Sequence, residues 1–202
     1  SDTTTSLAPA DIDGDFDLDL VVVNNDQPNR LYRNTNGVLL PDPAWAVTVP
    51  GTTAVAWADI DNDGDLDLAI GSRFAPLALY LNQNGTLSTT PAWQAPTVHN
   101  IWTIAFGDAD GDGYVDLAVG SRSINEPVRL YQNLGMGVDG VLQLVEIWQS
   151  AEQDVTYSLA WGDINQDGYL DLAVGNDSGP NRVYANVNGR LQPAASWSSH
   201  ES

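Results

Sequence analysis

The chain has no cysteine and no lysine, and its 202 residues contain only seven basic side chains, all arginine. Without cysteine there are no disulfides, no thiolate metal sites and no thiol nucleophile. Seven arginines against 27 acids give a formal net charge of −20. Such a surface repels nucleic-acid phosphates and anionic membranes, so neither is expected as a partner. No apolar run approaches the roughly 20 residues that cross a bilayer as a helix. A signal peptide is also missing, and the chain begins at Ser1 rather than Met, as expected of a mature or excised segment. Nothing resembles a phosphate loop or a Gly-x-Ser-x-Gly turn. The two histidines, His99 and His200, have no repeated partners. Catalysis therefore has little support, and the expectation is a protein that is not an enzyme.

What is present is a globular composition, 43% hydrophobic, with its acids gathered in four places. The stretches DIDGDFDLDLVVV, DIDNDGDLDLAIG, DADGDGYVDLAVG and DINQDGYLDLAVG begin at Asp11, Asp59, Asp108 and Asp163. Other landmarks keep step. A Pro follows the last loop Asp after 9, 9, 11 and 9 residues (Pro28, Pro76, Pro127, Pro180). A Tyr always comes four residues later (Tyr32, Tyr80, Tyr131, Tyr184), and a Trp after a further 13, 13, 17 and 13 (Trp45, Trp93, Trp148, Trp197). The unit boundaries fall at about 1–49, 50–97, 98–150 and 151–202. The longer third unit carries NLGMGVDG where the others have a tight Asn-Gly turn.

Each unit reads as four short strands. In the second these are TAVAWADI, then LAIGS after the acidic loop, LALYLN, and TLSTTPAW beyond Asn84-Gly85. No segment keeps a 3.6-residue apolar period, so helix is not expected. Four antiparallel strands recurring every ~50 residues predict an all-β fold of β-propeller blades. Trp57, Phe106 and Trp161, with Pro9 in their place in the first unit, precede the loops. The runs Leu20–Val22, Leu68–Ile70, Leu117–Val119 and Leu172–Val174 read as buried strands. The four late tryptophans are expected to wedge between blades.

The loop has the form D-x-D-x-D-G-x-x-D. Alternate carboxylates at positions one, three and five converge on a point when the loop coils tightly. Gly at six permits the turn, a backbone carbonyl at seven faces inward, and Asp at nine closes the cage. An all-oxygen, multi-carboxylate cage selects a hard cation, and calcium is favoured over magnesium because it tolerates irregular coordination. The expected ligands are Asp11, Asp13, Asp15, Asp17 (carbonyl) and Asp19 in the first loop, and Asp59, Asp61, Asp63, Asp65 (carbonyl) and Asp67 in the second. The third offers Asp108, Asp110, Asp112, Tyr114 (carbonyl) and Asp116; the fourth offers Asp163, Asn165, Asp167, Tyr169 (carbonyl) and Asp171. Up to four calcium ions follow, one per repeat. The weakest is expected in the first, where Phe16 replaces glycine at position six and Gly14 relaxes the turn from nearby. An EF-hand is excluded, because position twelve is Val22, Ile70, Val119 or Val174 rather than an acid.

The segments WADIDNDGDLDLAIGS (57–72), FGDADGDGYVDLAVGS (106–121) and WGDINQDGYLDLAVGN (161–176), with the LYxN strands, resemble FG-GAP/VCBS-type repeats, the calcium-loop blades of integrin α-subunit propellers. The resemblance covers nearly the whole chain. It implies propeller blades, a cation between strands one and two, and an extracellular or cell-surface setting. It does not imply one activity, since the family includes adhesion receptors, lectins and propellers appended to enzymes. The leading expectation is a calcium-stabilised binding, adhesion or scaffolding module. The variable loops at 24–29, 72–76, 121–127 and 176–181 would serve as its contact surface. Two alternatives stand beside it: a multivalent lectin with sugars between blades, and a structural repeat of an extracellular fibre or surface layer. Asn84 and Asn176 fit the glycosylation sequon. The chain begins and ends in phase with its repeat, so self-association or further blades completing a ring are also expected.

Overall fold

The apolar run after each acidic loop and the strand before it form the same hairpin four times. The computed structural model describes residues 2–177 and 179–200; Ser178, the third residue of the second sequon, lies outside them. Thr4–Ala10 pairs with Asp19–Asn24, Thr52–Ala58 with Asp67–Ser72, Ile101–Gly107 with Asp116–Ser121, and Thr156–Gly162 with Asp171–Asn176, all antiparallel. The register is the same in each, closing on Ala10↔Asp19, Ala58↔Asp67, Gly107↔Asp116 and Gly162↔Asp171. The ninth-position aspartate is therefore the first residue of a strand. That placement buries it, at 1% exposure or less for Asp19, Asp67 and Asp116 and 2% for Asp171.

A third and a fourth strand complete each four-stranded sheet. They are Asn29–Tyr32 with Trp45–Val47, Ala78–Tyr80 with Trp93–Gln94, Arg129–Met136 with Leu142–Gln149, and Arg182–Tyr184 with Trp197–Ser198. The second strand is central. All six residues of Asp67–Ser72 and of Asp116–Ser121 are buried, which is why these strands read as unbroken apolar runs rather than alternating ones.

The fourth strand differs from the sequence expectation in three repeats. TLSTTPAW is not continuous: Thr86–Leu87 pairs with Asn82–Gln83 in a separate ribbon, and the chain rejoins the sheet only at Trp93. Pro43, Pro91 and Pro193 stand shortly before the late tryptophans, and a proline has no N–H for the ladder. The third repeat has no proline there, and Leu142–Gln149 runs unbroken for eight residues.

By contact density the chain divides into two units, Ser1–His99 with Met136–Leu142, and Asn100–Gly135 with Gln143–Ser202. Within the first, Ile12, Val21, Val23, Leu31, Leu68 and Ile70 form a core shared by two sheets. Trp45 fills it edge-on to Tyr80, with centroids 5.5 Å apart and planes at 80°. Its indole N–H donates to the Ser88 carbonyl at 2.8 Å. Within the second unit Trp148 meets Tyr184 in the same way, at 5.2 Å and 78°. A second indole pins each pair of sheets: Trp57 Nε1 donates to the Ala8 carbonyl and Trp161 Nε1 to that of Ala105, both at 3.1 Å. Trp45 and Trp148 thus wedge as the sequence predicts. Trp197 does not, being 55% exposed.

Replacing Trp45 with Ala is expected to cost about 3–5 kcal/mol, and a double-mutant cycle with Tyr80→Ala to show about 0.5–1.5 kcal/mol of coupling. Urea unfolding of the four proteins measures both.

Candidate metal centres

Each acidic loop coils through two left-handed residues, not one. Position six is left-handed at Gly64, Gly113 and Gly168 (φ 96°, 93° and 91°), and Phe16 takes the same conformation at 71°. Position four is left-handed as well, at Gly14, Asn62, Gly111 and Gln166 (φ 74°, 60°, 79° and 64°). Gly14 therefore does not substitute for a missing glycine at position six. Phe16 adopts the strained conformation itself, with its ring 94% exposed and nothing gained from packing. Left-handed backbone costs a non-glycine residue about 1–2 kcal/mol.

The coil turns its N–H groups inward onto the carboxylates. At position one, both oxygens of each aspartate accept: Asp11 from Gly14 and Phe16 (2.8 and 2.9 Å), Asp59 from Asp63 and Gly64 (3.1 and 3.0 Å). Asp108 does the same with Gly111 and Gly113 (2.8 and 3.1 Å), and Asp163 with Asp167 and Gly168 (both 3.0 Å). Position five accepts from the N–H of position seven, in Asp15, Asp63, Asp112 and Asp167, at 2.8–3.0 Å. At position three, Asp61, Asp110 and Asn165 accept from the N–H of position five.

Position nine does something else. Asp67 accepts from Asn82 N–H (2.7 Å) and Ile60 N–H (2.9 Å), and Asp116 from Asn133 (2.9 Å) and Ala109 (3.0 Å). Asp171 accepts from Asn186 and Ile164 at 2.8 and 3.1 Å. Each buried carboxylate straps its loop to the third strand (Asn133) or to the residues just beyond it (Asn82, Asn186). Position seven also ties outward through its side chain: Asp17 and Asp65 accept the N–H of Asn36 and Asn84, each at 2.6 Å. The Tyr114 ring lies against Gly135, and Tyr169 is half-buried.

Oxygens of Asp59, Asp61 and Asp67 lie within 4.8 Å of one another, as do those of Asp108, Asp110 and Asp116. In the first loop the trio so gathered is Asp11, Asp13 and Asp15. The fourth loop has Asn165 at position three, and its amide donates to Asp167 at 3.0 Å. The donor sets are oxygen-only, the chemistry of a hard cation. Burial pushes the Asp67 carboxyl up from 3.8 to about 7, against the pull of its two N–H donors and helped by Asp61 and Asp63. Asp116 rises to about 6 for the same reason. Asp61 is raised by burial and then by Asp63. Asp13 is raised by burial, although Arg33 pulls it down.

The loop clamp is a residue that the sequence reading passed over. The asparagine two places after each repeat tyrosine (Asn34, Asn82, Asn133, Asn186) donates its N–H to the ninth-position aspartate. Its amide reaches the position-eight carbonyl of its own loop, at 3.1 Å from Asn82 to Leu66 and from Asn186 to Leu170. The same amides cross to the preceding repeat, to the Ile12 carbonyl at 2.8 Å and the Ala109 carbonyl at 2.6 Å. The signal was the fourfold Tyr-x-Asn spacing.

Two outcomes follow. Phe16→Gly is expected to raise stability by about 1 kcal/mol, read as a higher denaturant midpoint. In chelator, the folded Asp67 holds a proton that the unfolded chain releases, so stability falls as pH rises from 3.8 toward 7. Melting temperatures recorded across that range should show this slope, and Asp67→Asn should lessen it, leaving the part that Asp116 contributes below about 6.

Residues 11–70, 59–119 and 110–174 each match the model of the FG-GAP-like repeat. No curated protein matches the chain. Among solved structures, BBS1N in complex with ARL6DN is similar in crystals soaked with lead (TM-score 0.61, 14% identity) and with mercury (0.60, 15%). The match covers 95% of this chain and 56% of that one in both cases, and at this identity it shows the fold, a β-propeller, alone. Three overlapping matches spanning most of the sequence establish that the chain belongs to the FG-GAP-like repeat family.

Proposed function

We propose that the chain is a calcium-braced β-propeller module, each repeat contributing one blade, that binds a protein partner outside the cell. The observation carrying this is the gathering of Asp59, Asp61 and Asp67, and of Asp108, Asp110 and Asp116, around common points. Burial and mutual repulsion raise carboxyl pKa values there, and a bound divalent cation relieves both. In the second loop Asp59, Asp61, Asp63, Asp67 and the Asp65 carbonyl would hold the ion. The third loop offers the matching set, and the fourth offers it with Asn165 in place of an acid. Because the unfolded chain has no such cage, binding energy becomes folding energy. Sites of this kind suit millimolar calcium, the extracellular range.

A protein-binding role is supported by the family's fold and by the similar structure being a complex with ARL6DN. The loops opposite the acidic ones present exposed apolar residues, Phe74 at 65% and Ile124 at 76%. Arg73 lies 5.1 Å from the Phe74 ring, and Arg122 lies 4.4 and 5.1 Å from the Trp102 and Tyr157 rings. Rigid aromatic–arginine surfaces of this kind are what protein contacts favour. In the fourth repeat Ile164 is 56% exposed, whereas Ile12, Ile60 and Ala109 at the same position are at most 2% exposed. That face suits another sheet of the same kind, and with it self-association.

A lectin reading keeps one foothold. Trp45 and Trp148 are consumed by packing, but exposed Trp197 borders a cleft of about 480 Å³ with Asn165 and Asp171.

Thermal unfolding with calcium, with magnesium and with chelator tests the proposal. Calcium should raise the midpoint strongly and magnesium much less, while identical midpoints in calcium and chelator would refute the brace.

A further inference from the structure

We propose that the Arg33 guanidinium is a resident cation in the first loop, standing where the other loops leave room for a metal ion and closing that loop to divalent cations. This rests on reading the second to fourth loops as cation sites. Arg33 Nη1 lies 3.0 Å from Asp13 Oδ2 and 2.6 Å from Asp19 Oδ2, at positions three and nine of the loop. Its Nη2 donates to the carbonyl of Gly85 in the neighbouring Asn84-Gly85 turn. One guanidinium nitrogen therefore joins two carboxylates and the other holds a backbone carbonyl.

The other loops show what it displaces. In the second and third, the carboxylates that gather are those of positions one, three and nine. In the first the gathered trio is one, three and five, and Asp19 is outside it. The second oxygen of position nine accepts the N–H of Ile60, Ala109 or Ile164 in the later loops, and the guanidinium in the first. At the place of Arg33, between the tyrosine and the clamp asparagine, the other repeats have Leu81, Gln132 and Ala185, all uncharged.

The arrangement is enclosed on the Asp19 side and reaches solvent at Asp13, whose side chain is 32% exposed. The Arg33 side chain is 18% exposed and that of Asp19 is 1% exposed. The turn of the second repeat presses on both partners, since a Cβ at Gly85 would stand 2.6 Å from Asp13 Cβ and 3.1 Å from Arg33 Nη2. A guanidinium is charged at every working pH, and its fork holds two acceptors at once. A divalent ion entering here would share ligands with a fixed positive charge and meet repulsion at close range. Loss of affinity in the first loop thus comes from an occupant, whereas Phe16, which keeps the loop conformation, does not cause it. The first repeat would be braced without metal and the later ones with it.

Calcium uptake by chelator-stripped protein, counted by equilibrium dialysis and titration calorimetry, tests this. Arg33→Gln is the main variant, because Gln132 holds the same place in the third repeat and donates to Asp110. Arg33→Leu, after Leu81, serves if the glutamine variant does not fold. The expected result is one more ion bound by the variant than by the parent, lost again when Asp13→Asn is added. Asp13→Asn alone should leave the parent's count unchanged, while Asp61→Asn should lower it by one. If Asp61→Asn lowers the count but neither arginine variant gains an ion, the resident-cation proposal is overturned and the calcium reading stands. If no protein in the set takes up calcium, both are overturned.

Discussion

Crowded negative charge against a buried carboxylate is the constraint around which each repeat is organised. Asp67 is fully buried at the start of a strand, and the same loop places Asp59, Asp61 and Asp63 beside it. Such a set is tolerable only with positive charge or donated hydrogen bonds at hand. The fold supplies the hydrogen bonds from its own backbone. Two left-handed residues per loop aim N–H groups at positions one, three and five, and Asn82, just beyond the third strand, supplies another to position nine. Those bonds fix the geometry but leave much of the charge, and the oxygens that stay gathered have the chemistry of a hard-cation site.

The same contacts join neighbouring repeats. Asn82 and Asn186 each bind their own loop and the loop before, through a buried amide. Trp57 and Trp161 repeat the pattern from the strand side. A loop that changes shape therefore pulls on the next sheet as well as on its own. Rigidity at the acidic edge passes into the packing between sheets, which suits a module whose opposite loops hold Phe74 and Ile124 out to solvent. Arg33 belongs to the same design, since it bridges Asp13, Asp19 and the turn of the following repeat.

Much of this was legible because it is local. Hairpins, the acidic turns and the buried second strands depend on residues within 20 positions of one another, and the fourfold repetition multiplied a weak signal. The differences lie in backbone conformation, in a missing ladder donor and in long-range pairing. Gly14 stands two residues from Phe16, yet both φ-positive positions recur in each loop and Phe16 itself accepts the strain. TLSTTPAW reads as one strand, but Pro91 within it has no N–H for the ladder, and the chain rejoins the sheet only at Trp93. The clamp asparagines were quoted within a motif without their partners being evident, since Asn82 and Ile12 are 70 residues apart.

The amino-acid sequence by itself determined the repeat, the all-β class and the oxygen-rich character of the loops, because each follows from spacing and side-chain chemistry within one unit. Tertiary structure decided which aspartates are solvated and which are sunk in a strand, and which tryptophans are packed. It also brought Arg33 against Asp13 and Asp19 in the first loop. The physical reason is that burial and pairing across sheets set the strength of a charge, and a linear chain does not show which charges will be shut away from water.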